Sequence, residues 1–330
     1  MNVFLTVDTE ASVGGAFADR SLKPVGNERR IFGRVSGGEW GIGPMMAIAD
    51  SHGLKLTFFV EALASLHFGA AELEEVCGAI LSRGHDVQLH LHPCFLNFGL
   101  DDPARRLFSD NIGTYPQARQ AELLTQGLEL LVKAGTPRPV AFRAGNHGIG
   151  SASLAALAQA GILLDSSYNA AVSPRLRIMP DLRVNDAARM PEGVVELPVT
   201  CFREATGLRP PKLKPLDING VTFGEMACAL ERGRDMGLRN AVILMHSFSF
   251  IRTYDPQYGK VRIRHDVIAR FEKLCRFLAG NAADFRTLTF GDLGKEDLSA
   301  CLGPDPRAVP SMPARLSIGR LATLAMDALR

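Results

Sequence analysis

The 330-residue chain has no Cys-x-x-Cys spacing. Its six cysteines, Cys77, Cys94, Cys201, Cys228, Cys275 and Cys301, are scattered, which argues against a disulfide framework or a cysteine-rich zinc site. Reduced thiols in a cytoplasmic protein are the expectation. An excess of charge of one sign is also missing. Lysine and arginine total 37 against 35 acidic residues, a formal net charge of +2, so nothing electrostatic points to a nucleic-acid partner. Long apolar runs are absent too. The longest stretch without Asp, Glu, Lys or Arg, residues 144–164, carries Asn146, His147, Gln159 and several serines and glycines. It reads as a loop, a helix and a buried strand, not a transmembrane segment. Met1-Asn2 runs directly into Val3-Phe4-Leu5-Thr6-Val7, without the basic start and longer apolar stretch of a secretory leader. The glycine-rich segment 11–43 has neither the Gly-Lys-Ser/Thr ending of a P-loop nor a GxGxxG pattern. It is expected to be a long loop over a site, with phosphate cradling a distant second.

What is present is a recurring unit. A hydrophobic fraction of 46% is that of an ordinary globular chain. A helix ending in Ser51-His52-Gly53 precedes the strand Leu56-Thr57-Phe58-Phe59-Val60. Helices expected over residues 72–83, 117–133, 151–160 and 222–236 each stop at a glycine before a short apolar strand. A last helix, near 267–278, precedes Thr287-Leu288-Thr289-Phe290. Helix, glycine cap, buried strand is the grammar of a parallel β/α fold. Seven such strands suit a closed or nearly closed barrel better than an open sheet. Long insertions interrupt it at 94–116 and 168–220, and such connections are usually functional or flexible. The barrel is expected to span 1–295. A proline-rich tail, 296–330, ends in a weakly amphipathic helix at 316–324 that would pack on the barrel or on a second copy in a homo-oligomer, with a membrane-surface contact as the minority reading.

The chemistry gathers at the strand ends. In Gly84-His85-Asp86-Val87-Gln88-Leu89-His90-Leu91-His92-Pro93 the apolar residues alternate with Gln88, His90 and His92, which puts both histidines on one face just before a proline. Two imidazoles there form half of a metal site. In parallel β/α folds the carboxyl ends of the strands carry the function. Asp8 and Glu10 end the first strand, Arg143-Ala144-Gly145-Asn146-His147 the fourth, Asp165-Ser166-Ser167 the fifth, and His246-Ser247 a late one.

Thr6-Val7-Asp8-Thr9-Glu10, Leu56–Val60, Gly84 to His90, Phe142-Arg143-Ala144-Gly145 and Leu244-Met245-His246-Ser247 occur in the order of the polysaccharide deacetylases, the NodB-homology carbohydrate esterases of family 4. The resemblance covers residues 2–292, and the histidine strand is most similar to the WalW-like branch associated with lipopolysaccharide biosynthesis. It implies an α/β fold, a distorted, TIM-barrel-like (β/α)7 barrel, holding one divalent ion, usually Zn2+, on two histidines and a carboxylate. It also implies removal of an acetyl group from an N-acetylated sugar, free or carrier-linked. Three departures stand out. The usual adjacent aspartates read Asp8-Thr9-Glu10, the usual histidine spacing of four would place the second ligand at Cys94, and Arg-x-Pro reads Arg143-Ala144-Gly145.

On that resemblance Glu10, His90 and His92 are expected to hold the metal, with Asp8 and Cys94 as alternatives. Two neutral imidazoles with one carboxylate leave an ion more electrophilic than a thiolate would. Asp8 would act as base toward the attacking water, oriented by Arg143, and His246 would protonate the leaving amine. A backbone N–H near Gly145 would help hold the oxyanion, and Asn146 and His147 would touch substrate. Two other readings remain: a metal- or sugar-binding protein of the same fold without turnover, and a hydrolase of small amides.

Overall fold

The computed structural model describes residues 1–99, 108–172, 184–205, 210–302 and 309–320. Its centre is a nine-stranded sheet. The strands are β1 (Asn2–Thr9), β2 (Thr57–Glu61), β3 (Asp86–Leu91), β4 (Ala141–Ala144), β5 (Leu164–Asp165), β6 (Ala188–Arg189), β7 (Val195–Glu196), β8 (Asn240–His246) and β9 (Arg286–Thr287). They lie in the order β8-β1-β2-β3-β4-β5-β7-β6, with β9 beside β1. All pairings are parallel except that of β6 with β7. Among the described residues the strand pairings form a curled half-barrel whose two ends are not paired, in keeping with the nearly closed form of the expected barrel. The gap beside β8 is bridged by irregular chain: Thr200 donates to the Val242 carbonyl, Leu244 to Leu216, and Ile218 to Leu244.

Alternation along the strands divides the core into two layers. Val3, Leu5 and Val7 of β1, Val87, Leu89 and Leu91 of β3, and Ala241, Ile243 and Met245 of β8 face outward into one cluster. That cluster also holds the apolar faces of α1 (Ile42–Ser51), α2 (Ala70–Leu81), α3 (Gln117–Lys133), α4 (Ser153–Ala160), α5 (Phe223–Asp235) and α6 (His265–Gly280). Phe4, Phe59, Leu164, Val195, Val242, Leu244 and Phe290 fill the inside of the curl. Phe290 packs on Phe4 and Phe59 with ring centroids at 5.0 and 5.2 Å, each such pair contributing about 0.5–1.5 kcal/mol beyond its buried area. Further along the same inward faces the residues turn polar: Phe4 gives way to Thr6 and Asp8, Phe59 to Glu61, and Leu244 to His246. The apolar plug thus becomes the floor of a polar site at the carboxyl ends.

Helix stops follow the expected glycines. At Gly161 (φ 76°) the amide donates to Ala158 and that of Ile162 to Leu157, the paired bonds of a left-handed cap. One expectation is displaced: beyond Thr287 the chain leaves the sheet, because Thr289 and Asp292 form a capping box that starts a short helix at Phe290. Within 296–330, residues 314–320 are helical and 321–324 of the expected helix lie outside the described residues. Arg320 bonds Glu225 of α5 (3.0 Å) and Glu204, tying that segment to the main body. Among the described residues no helix is long and apolar enough to cross a membrane.

Candidate metal and hydrolytic site

Strand register assembles the site. Asp8 lies opposite His246 on one side, Glu61 of β2 lies opposite His90, and His90 lies opposite Arg143. Glu10 extends the inward face of β1 by one more period, and His92 that of β3.

Glu10, His90 and His92 offer three ligand atoms that all lie within 4.8 Å of one another. Glu10 Oε2 is 2.7 Å from His92 Nε2 and 3.4 Å from His90 Nε2. The opposite ring nitrogens are already committed. His90 Nδ1 is 2.7 Å from the Arg143 carbonyl, which can only accept, so Nδ1 carries the proton and Nε2 presents a lone pair. His92 Nδ1 lies 3.0 Å from both oxygens of Asp110. Outer partners of this kind fix the tautomer and orientation of ligating histidines. Burial lowers the affinity of His92 for a proton, but Glu10 and Asp110 overcome it and hold the ring well above its ordinary value. Burial likewise raises Glu10, yet His92, His90 and Arg30 bring it well below its ordinary value. Two imidazoles and an ionised carboxylate converging at this spacing fit a divalent cation, which would take the place of the His92 Nε2 proton.

Cys94 lies on the other edge of His92, grouped with that residue and Asp110 and not with Glu10 and His90. Burial pushes its thiol up to about 12. The His92 ring rests on Gly145, where a Cβ would sit 2.6 Å from the imidazole, so a side chain there would displace it.

Arg143 is fully buried over the Phe59 ring, 4.2 Å from its centroid. Its Nη1 donates to Asp8 Oδ1 (2.6 Å) and Thr6 Oγ1 (2.9 Å), its Nε to the Ser166 carbonyl (3.0 Å), and its Nη2 to Ser166 Oγ (2.9 Å). Burial raises Asp8, but Arg143 and then His90, His246 and His147 outweigh it, so the carboxylate is held ionised. His246 is half-buried against Phe248, and among the described residues none hydrogen-bonds its ring nitrogens. His147 is more enclosed. Its Nδ1 donates to the Ser167 carbonyl at 3.1 Å, its Nε2 lies 3.3 Å from Asn169 Nδ2, and burial lowers it to about 4. Asn146 is exposed and donates to Asp110 at 2.6 Å; both it and His147 have φ 55°, an uncommon backbone state for such residues.

No family model and no curated protein matches the sequence. Solved structures do. A protein named as a polysaccharide deacetylase from Mycobacterium smegmatis is similar over 94% of each chain, with 18% identity and a TM-score of 0.57. A 4-alpha-glucanotransferase from Thermococcus litoralis is similar over 95% of this chain and 42% of its own, with 10% identity and a TM-score of 0.50. A family 4 carbohydrate esterase from Streptomyces lividans, solved with acetate, has 13% identity over 92% of this chain and 97% of its own, with a TM-score of 0.43. What the first two share with this chain is the fold. Their printed names, a deacetylase and a glucanotransferase, differ in activity, so function has to be argued from the site.

Several site groups had no signal in the sequence. Arg30, from the one-turn helix Asn27–Arg30, donates to Glu10 Oε1 at 2.8 Å while stacking on Phe248. Asp110 comes from the long insertion after β3 and orients His92. Glu61 accepts from the amides of Leu63 (2.8 Å), Ala64 (2.6 Å) and His92 (3.3 Å), bracing the end of β3. None lies within a motif, and each reaches the site only through long-range folding.

Proposed function

We propose that the chain is a metal-dependent hydrolase that removes the acetyl group from an N-acetylated sugar. The observation that carries this is the convergence of Glu10, His90 and His92 beside the buried Asp8–Arg143 pair, with His246 on the neighbouring strand. Glu10, His90 and His92 would hold the divalent ion, most suitably zinc, which would supply Lewis-acid chemistry toward the acyl carbonyl and water. Asp8, kept ionised by Arg143, accepts the proton of the attacking water. Arg143 holds that carboxylate in one orientation through its bonds to Thr6 and Ser166. His246 faces Asp8 across the β1–β8 register and delivers a proton to the departing amine. An anionic acceptor and a separate imidazole donor give the divided acid and base that amide hydrolysis needs near neutral pH. Asn146, on the exposed rim, would contact the sugar, and the amide of Gly145 would contribute to oxyanion binding. The enclosed position of His147 makes it a wall of the site in this reading, with substrate contact secondary.

The finer assignments belong to the same proposal: the WalW-like lipopolysaccharide branch, a carrier-linked sugar as substrate, action in the cytoplasm, a (β/α)7-type catalytic barrel over 1–295 with a packed tail at 296–330, and self-association as a homo-oligomer. The decisive experiment is metal analysis of the purified chain followed by an acetate-release screen over N-acetylated sugars and their carriers, with and without chelator. One ion per chain and chelator-sensitive release are expected. Full activity in a metal-free preparation would end the reading.

A further inference from the structure

Asp165 and Glu196 are completely buried and lie opposite one another on the paired parallel strands β5 and β7. By register they share a face with Phe142, the face opposite to that of Arg143, so they sit behind the site and not in it. One oxygen of each is satisfied: Asp165 Oδ1 accepts from Ser167 Oγ at 2.5 Å, and Glu196 Oε1 from the Tyr168 amide at 3.1 Å. The other two, Asp165 Oδ2 and Glu196 Oε2, find no N–H or O–H donor. Because the two acids lie opposite one another on neighbouring strands, the partner the register offers each bare oxygen is the other acid, in one O–H···O bond. Two carboxylates cannot make that bond without a proton, and two adjacent buried anions would repel strongly in a low-dielectric interior. One proton between them converts the repulsion into a charge-assisted O–H···O bond. The titratable and charged groups near the pair are Tyr168 just after β5, with Cys201 beyond it, and Arg143 acting at longer range from the opposite face of β4.

The residues between and beside the pair are those that hold the site. Ser166 receives Arg143 on both its carbonyl and its hydroxyl, and that hydroxyl donates to the Leu197 carbonyl at 2.9 Å. Ser167 Oγ accepts the Ala144 amide at 2.9 Å, and its carbonyl accepts His147 Nδ1. We propose that Asp165 and Glu196 share one proton and act together as a positioning pair, a clamp that fixes the Ser166–Ser167 turn and, through it, the Arg143 guanidinium against Asp8. Loss of the proton would push β5 and β7 apart and loosen Arg143. The meaning of this for turnover rests on the hydrolase reading; the two measurements that test the clamp do not.

The native chain holds a proton here that the unfolded chain, with ordinary carboxylates, has released above about pH 5. Wild-type stability therefore falls with rising pH until the pair itself titrates. Glu196→Gln keeps the shape, supplies a permanent N–H to Asp165 and removes that dependence. Thermal unfolding of both proteins from pH 5 to 9 should show Glu196→Gln gaining on wild type by ~2 °C per pH unit. The Nε–H resonance of Arg143, slowly exchanging while bonded to Ser166, should weaken in wild type at the alkaline end, persist in Glu196→Gln, and be lost in Glu196→Leu. Parallel unfolding curves would overturn the shared proton. An Arg143 signal that ignores both the alkaline end of the wild-type series and Glu196→Leu would overturn the clamp. Should Glu196→Leu fail to fold, the wild-type and Glu196→Gln series still decide both points.

Discussion

His92 carries a different job on each ring nitrogen: Nε2 faces Glu10 and the proposed cation, while Nδ1 faces Asp110 and the Cys94 side of the loop. This separates two residues that the sequence left in competition. His92→Ala should lose the stoichiometric ion, whereas Cys94→Ser should keep it, measured by metal analysis after dialysis. Loss of the ion from Cys94→Ser alone would transfer the role to the cysteine. Asp110→Asn, which leaves Nδ1 without its carboxylate, should weaken metal affinity by ~10–100-fold. His246 stands apart from the ligand group, so His246→Ala should retain metal while acetate release drops by ~10²–10⁴-fold. A metal-free His246→Ala protein would make that histidine a ligand and reassign the proton donor.

At the scale of elements, the site depends on how closely β3 and the turn after β4 approach each other. Gly145 is the point of contact, with the His92 imidazole lying where a Cβ would go. Gly145→Ala should fold, since the position lies at the end of a strand, but should rotate the ring away from Glu10. We expect ~10-fold or greater loss of zinc affinity, read by competition with a chromophoric chelator. Unchanged affinity would mean that the turn yields and the ring does not. The third departure from the deacetylase pattern, Arg143-Ala144-Gly145, therefore has a steric consequence: the residue after Ala144 must be one that leaves room for the His92 imidazole.

Across the whole molecule, the described part of the tail is held by backbone bonds of Arg203 to Pro310 and Met312, by burial of Met312, and by one buried charged cluster. Arg320 is 4% exposed and pairs with Glu225, which is 0% exposed, and with Glu204 of the Cys201–Glu204 strand. Removing the arginine leaves Glu225 buried without its partner. Arg320→Met should cost about 3–5 kcal/mol in denaturant unfolding, and adding Glu225→Leu should recover much of it. Equal stability of wild type and Arg320→Met would show that the Arg320 ion pairs contribute nothing to the fold. Among the described residues the cluster shares no bond with the proposed ligands Glu10, His90 and His92, so metal stoichiometry should be the same in both variants.

The repeated helix, glycine stop and buried strand are legible in the residues, because capping and period-two burial are local properties. So is the place of Asp8, Glu10, His90, His92, Arg143 and His246 at strand ends, because in a parallel sheet the end of each strand can be read from its own run of residues. Tertiary structure alone decided how those ends meet. It set β8 beside β1, bridged the far side of β8 through Thr200, Leu216 and Ile218, and brought Arg30, Asp110 and Glu61 to the candidate ligands from segments without a motif. The Asp165–Glu196 clamp belongs to the same class: each acid looks unremarkable in its own strand, and only the register between the strands makes them share a proton.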